Sequence, residues 1–125
     1  MTTALVIEDD DDIRRLLEVI LGQAGYAVTT AATGADGLSA LEAQEPELML
    51  VDVGLPDIEG YDVVRRARDL VSGKIVMLSA RSQEADAQLG LDAGADEYLT
   101  KPFRPRELRE RLAGIVAGQV TSEEP

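Results

Sequence analysis

Asp52 stands directly behind the apolar run Leu48-Met49-Leu50-Val51, and Glu8 and Asp9 directly behind Leu5-Val6-Ile7. Ser79 follows Ile75-Val76-Met77-Leu78, and Lys101 follows a short run ending at Thr100. Polar groups placed where buried strands emerge are candidates for chemistry, and here they are three carboxylates, one hydroxyl and one ammonium. The chain has 125 residues with no cysteine and no histidine. That excludes thiolate nucleophiles, disulfides, histidine bases and histidine metal ligands. A metal can only rest on oxygen ligands, which suits a hard cation such as magnesium or calcium. No GxxxxGK[ST] or GxGxxG loop follows any strand, so no phosphate-binding glycine loop is expected. Carboxylates are left as the groups for covalent chemistry, and an aspartate can accept a phosphoryl group as an acyl phosphate. Asp52 is the expected acceptor. Mg2+ and Lys101 would offset charge on the phosphoryl oxygens during in-line transfer, and Ser79 would donate a hydrogen bond to one of them.

These residues can cooperate only if the fold brings them to one edge, and the pattern along the chain implies that it does. Residues 4–7, 27–31, 48–51, 74–78 and 97–100 are short apolar runs, the third and fourth without alternation, as in strands buried on both faces. Between them lie amphipathic stretches. Ile13, Leu16, Leu17, Ile20, Leu21 and Ala24 make one helical stripe, closed by Gly25 in a left-handed turn. Residues 34–43 form a second helix, and Tyr61, Val64, Ala67 and Val71 mark a third. Residues 83–93 form a fourth that carries Gly90 inside it, at a cost of about 1 kcal/mol relative to alanine. Residues 104–116 form the last. Five such alternations predict an α/β, flavodoxin-like (βα)5 doubly wound parallel sheet with strand order 2-1-3-4-5. In that order strands 1 and 3 are neighbours, so Glu8, Asp9 and Asp52 converge. Such crowding of like charge calls for a cation. Of the further acids at 10–12, Asp10 or Asp11 is expected to cap the first helix.

The domain is expected over residues 1–118, with a polar, disordered tail over 119–125. Twelve basic against 24 acidic residues give a net charge of −12. This field repels nucleic acid and anionic lipid, so neither is expected to bind the chain directly. No apolar run is long enough for a membrane span and no signal-peptide pattern opens the chain, so a cytoplasmic location is expected.

The segments Leu5-Val6-Ile7-Glu8-Asp9-Asp10, Leu50-Val51-Asp52-Val53-Gly54-Leu55-Pro56-Asp57, Gly60, Met77-Leu78-Ser79-Ala80, Gly94-Ala95-Asp96-Glu97-Tyr98 and Lys101-Pro102-Phe103, in this order and spacing, resemble the receiver domain of bacterial two-component response regulators. The resemblance covers nearly the whole chain and is greatest for the subfamily joined to winged-helix DNA-binding domains. It implies Asp52 as phosphoacceptor, Glu8 and Asp9 as the acidic pair that binds Mg2+ (Glu8 through water), and the Gly54 carbonyl as a further metal ligand. It also implies Ser79 and Tyr98 as switch residues, Lys101 as the essential lysine with a cis peptide before Pro102, and Gly54 and Arg81 as positions that tune phosphoryl lifetime. The implied partner is a sensor histidine kinase or a phosphotransfer protein. The implied output is a change of the face formed by the fourth helix, fifth strand and fifth helix, through which relatives form homodimers on phosphorylation. Relatives use basic residues on the fourth helix there. The matching positions are Ala87 and Leu89, which leaves Leu89 as an apolar contact beside Asp96, Glu97 and Arg111.

Enzymatic turnover is not expected beyond self-catalysed phosphoryl acceptance and slow autodephosphorylation. Two other readings are a phosphorylation-independent binding module and a hydrolase with an aspartyl-phosphate intermediate. Intact Asp52, Asp9 and Lys101 weigh against the first. Gly54 weighs against the second, because it stands where such hydrolases place a general acid.

Overall fold

The computed structural model describes residues 2–80, 83–102 and 104–121. Five strands alternate with five helices: β1 (Thr3–Ile7), α1 (Asp11–Gln23), β2 (Ala27–Ala31), α2 (Gly34–Ala43), β3 (Leu48–Asp52), α3 (Gly60–Arg68), β4 (Lys74–Ser79), α4 (Glu84–Ala93), β5 (Glu97–Thr100) and α5 (Pro105–Thr121). All pairings are parallel and the order is β2-β1-β3-β4-β5, as the sequence predicts.

Period-two alternation along the central strands splits the core into two layers. Leu5, Ile7, Met49, Val51, Ile75 and Met77 face Leu41 of α2, Val63, Val64 and Ala67 of α3, and Ala93 of α4. Ala4, Val6, Leu48, Leu50, Val76 and Leu78 face Leu17, Ile20 and Leu21 of α1 and Leu108 and Leu112 of α5. Every residue of β3 is buried, which is why that run shows no polar alternation. The parallel register pairs Ile7 with Val51, so the chain leaves β1 and β3 at one level with Glu8 and Asp52 side by side.

Asp10 is the cap of α1, its carboxylate accepting the Ile13 amide at 3.0 Å. Gly25 has φ +99 and turns the chain after that helix. The third helix stops at Arg68, earlier than its apolar stripe implies. Val71 is still buried, because the following turn tucks it under the sheet with its amide on the Ala67 carbonyl at 3.0 Å. The last helix extends from Pro105 to Thr121, beyond the residue 116 expected for it, and residues 122–125 of the expected tail lie outside the described residues.

Arg68 closes the amino-terminal end of the sheet. Its guanidinium donates to the carbonyls of Gly94 (2.9 Å), Val71 (3.1 Å) and Gly73 (2.7 Å) and to the Asp96 carboxylate (3.1 Å). Asp96 also accepts the Ile75 amide at 2.8 Å.

Close approach requires glycine at several positions, Gly90 and Gly60 among them. A Cβ on Gly90 would lie 2.9 Å from Cδ2 of Tyr98 and 3.1 Å from the Met77 sulfur, so the glycine inside α4 makes room for the Tyr98 ring. A Cβ on Gly60 would overlap the Asp52 carbonyl and come within 2.8 Å of the Val53 Cα. Backbone cannot yield there as a flexible side chain can. Gly60→Ala is therefore expected to cost about 1–3 kcal/mol of unfolding free energy, as overpacking generally does; urea denaturation measures it, and an unchanged midpoint would contradict the packing.

Candidate functional site

The site lies at the carboxyl ends of β1, β3 and β4, on the crevice side where this topology reverses its strand order. Glu8, one residue beyond β1, is fully buried, with its amide bonded to the Ala31 carbonyl at 3.0 Å. Asp9 is exposed. Asp52, the last residue of β3, is 5% exposed. One carboxylate oxygen from each of Glu8, Asp9 and Asp52 lies within 4.8 Å of the others, a group that could hold a metal ion.

Lys101 reaches into this cluster from beyond β5. Its amide donates to the Ser79 carbonyl at 2.7 Å, which joins its backbone to the end of β4. Its Nζ lies 2.7 Å from Oε1 of Glu8 and 3.1 Å from Oδ1 of Asp52. The Lys101–Pro102 peptide is cis.

Electrostatics follow from this packing. Burial dominates at Glu8 and, helped by the Asp52 charge, pushes its pKa up to about 7 against the opposing pull of Lys101 and the Asp10 amide. Burial is also the largest influence on Lys101 and acts to lower its pKa. The bonds to Glu8 and Asp52 together outweigh it, and the pKa is raised. Lys101 is thus held as a cation beside Glu8 and Asp52, while Glu8 changes charge near neutral pH.

A divalent cation fits these residues. The donors are all oxygens, and the buried Oε1 of Glu8 has no well-aligned hydrogen-bond donor among the described residues although the Lys101 charge is near. Three carboxylates and one lysine leave an excess of negative charge for a cation to neutralise.

The structure therefore brings Glu8, Asp9, Asp52 and Lys101 together, with Ser79 buried at the adjoining strand end. Gly54 is exposed, and a Cβ there would meet nothing within 4 Å. Tyr98 is half-buried against Gly90 of α4. Arg81 and Phe103 lie outside the described residues. Among the expected surface residues, Leu89 is 48% exposed, and Arg111 lines a cavity of about 160 Å³ with Thr100, Pro102 and Glu107. Glu97 is half-buried. Asp96 is different: its carboxylate is engaged inside the domain by Arg68 and the Ile75 amide.

Sequence reasoning passed over two residues. Arg68 is one of three arginines in the last turn of α3, and besides the nearby Val71 and Gly73 it reaches acceptors on Gly94 and Asp96, 26 and 28 residues away. Asp57 was visible only as part of a loop motif, yet its carboxylate accepts the amides of Gly34 and Ala35 at the start of α2, both at 2.9 Å. An aspartate behind a proline signals a cap or turn, but nothing local shows which helix it caps.

Comparison with known proteins agrees with this geometry. The family model for the response regulator receiver domain matches residues 4–113. The transcriptional regulatory protein AfsQ1 of Streptomyces coelicolor is 44% identical over 116 residues, covering 93% of this chain and 52% of the relative. KdpE of Mycobacterium tuberculosis is 41% identical over 124 residues, covering 99% and 55%. The chain thus spans about half the length of these curated relatives. Among solved structures, a CheY-like receiver domain protein of Methanospirillum hungatei superposes with a TM-score of 0.88 at 32% identity, with 98% of each chain covered. The BeF3-activated receiver domain of DrrB, a Thermotoga maritima protein, superposes with 0.84 at 31% identity, covering 94% of this chain and 98% of that one. With its strand order, its acidic cluster and its lysine in the matching places, the chain belongs to the receiver domain family of two-component response regulators.

Proposed function

We propose that this receiver domain is a phosphorylation switch in which Asp52 accepts a phosphoryl group in a Mg2+-dependent reaction. The observation that carries the reading is the approach of Lys101 Nζ to within 3.1 Å of Asp52 Oδ1, beside three carboxylates able to share a cation. An Asp52 oxygen attacks phosphorus while the bond from phosphorus to the donor nitrogen breaks, and the electron pair of that bond leaves with the imidazole. The product is an acyl phosphate on Asp52. Lys101 offsets charge on the transferred oxygens, and Ser79 donates a hydrogen bond to one of them. Glu8, Asp9 and the carbonyl of Gly54 would hold Mg2+, whose role is to neutralise negative charge on the incoming phosphoryl group. The chain has no histidine, so the phosphohistidine donor is another protein, a sensor kinase or phosphotransfer partner.

Output runs through Ser79 and Tyr98 to the face formed by α4, β5 and α5. A few charge-assisted hydrogen bonds of roughly 1.5–3 kcal/mol each supply the ~5.5 kcal/mol needed to invert a 1:99 equilibrium. A homodimer through this face would use Leu89, Glu97 and Arg111 more than Asp96, whose carboxylate is already engaged. The curated relatives are transcriptional regulators about twice this length. With a charge of −12 the chain itself is assigned no contact with nucleic acid. None of the described helices is long and apolar enough to cross a membrane, in keeping with a proposed cytoplasmic role.

The direct test is incubation with acetyl phosphate and Mg2+ followed by intact mass. A phosphoryl adduct is expected in the wild type and in Ser79→Ala, and its loss in Asp52→Asn. No adduct in the wild type would favour the phosphorylation-independent binding module. The open space at Gly54 gives a second expectation: Gly54→Met shields the acyl phosphate from water and slows its hydrolysis several-fold, read from decay of the adduct.

Glu8 gives a third. Its folded pKa of about 7 exceeds the ordinary 4.5, so its contribution to stability is complete below pH 4.5 and is lost as pH rises through 7. The raised pKa of Lys101 leaves its own contribution intact across that window, because it titrates above 10.5. In EDTA the thermal midpoint should therefore fall between about pH 5 and about pH 8. Glu8→Gln should flatten the fall, and Mg2+ should reduce it by favouring the ionised carboxylate.

A further inference from the structure

The loop between β3 and α3 carries Gly54, the backbone ligand in the reading above, and this inference rests on that reading. The loop is closed at its base by Gly60 N donating to Val53 O at 2.9 Å, and Val53 N donates to Leu78 O at 3.0 Å. Among the described residues, no backbone-to-backbone hydrogen bond holds 54–58. Leu55 and Ile58 rest on the core of this layer, but apolar contacts alone set no direction for a carbonyl. The polar restraint comes from Asp57. Both its oxygens are used, Oδ1 by the Gly34 amide and Oδ2 by the Ala35 amide, each at 2.9 Å.

The two partners are the first residues of α2, where amides lack intrahelical acceptors and the helix dipole favours an anion. Thr33 already caps the same helix through the Asp36 amide at 3.1 Å, so Asp57 is an addition to that cap and comes from another part of the chain. Gly34 adds a steric condition: a Cβ there would run into Ile58, so a glycine is needed for the loop to lie against the helix. The Asp57 carboxyl is held below the usual carboxylate range by the Ala35 and Gly34 amides although the residue lies at the surface, so it stays ionised at neutral pH.

We infer that Asp57 is a positioning residue for the Mg2+ site: by clamping the β3–α3 loop to the start of α2, it fixes the loop from which the Gly54 carbonyl is presented. Partners that orient a metal ligand commonly matter by ~10–100-fold in affinity. An exposed pair of hydrogen bonds to a single loop belongs at the lower end of that range.

Mg2+ titrations of the full chain, followed by amide NMR shifts, test this without any phosphoryl transfer. In the wild type the amides of Gly34 and Ala35 should shift with the same dissociation constant as those next to Asp52. Asp57→Ala should raise that constant about tenfold and uncouple the Gly34 and Ala35 shifts from the titration, while Asp57→Asn, which keeps one acceptor oxygen, should fall between. Asp36→Asn removes an exposed carboxylate from the same helix turn without touching the clamp, and should leave affinity unchanged. Equal affinity in Asp57→Ala and wild type overturns the inference, as does an equal loss in Asp36→Asn, which would make net charge the cause. If Asp57→Ala does not fold, the Asp57→Asn comparison decides. A wild type that binds no Mg2+ overturns the parent reading of the site instead.

Discussion

Three carboxylates within 4.8 Å of one another are the constraint around which this domain is built. Two of them, Glu8 and Asp52, are buried, and isolated buried carboxylates are costly to ionise. Lys101 offsets that cost only in part, which is why Glu8 remains pushed up to about 7. Much of the nearby architecture bears on this cluster. The Lys101 amide is tied to the end of β4, Gly60 clears space under Asp52, and Asp57 secures the loop that follows. The site therefore carries a standing deficit of positive charge that a bound cation would offset.

The sheet and the polar residues gathered at its carboxyl edge were legible in the sequence for a shared reason. Runs such as 48–51 and 74–78 are apolar at every position because both faces are covered. Such strands can be followed immediately by a polar residue only at their ends, so the same pattern announces a parallel sheet and the residues at its edge. Glycines were less legible. Gly90 reads as a weakness of α4 until the Tyr98 ring is seen against it, since a close approach between elements leaves no local trace.

Contacts between distant segments account for the remainder. Asp57 and Gly34 are 23 residues apart, and Arg68 and Asp96 are 28 apart. Each residue considered alone looks like ordinary loop or surface polarity. Asp96 shows the consequence: by sequence it belongs to an exposed acidic pair, whereas its carboxylate is satisfied within the domain. The end of α3 shows another limit, since a buried turn extends an apolar stripe past the last helical residue.

Arg68 anchors the end of α4. The helix ends at Gly94, whose carbonyl Arg68 grips together with the turn before β4. At the other end Gln83 makes no side-chain cap, and the Tyr61 hydroxyl reaches the Asp86 carbonyl at a loose 3.3 Å. One guanidinium thus ties the end of α4 to the turn before β4 and, through Asp96, to the start of β5.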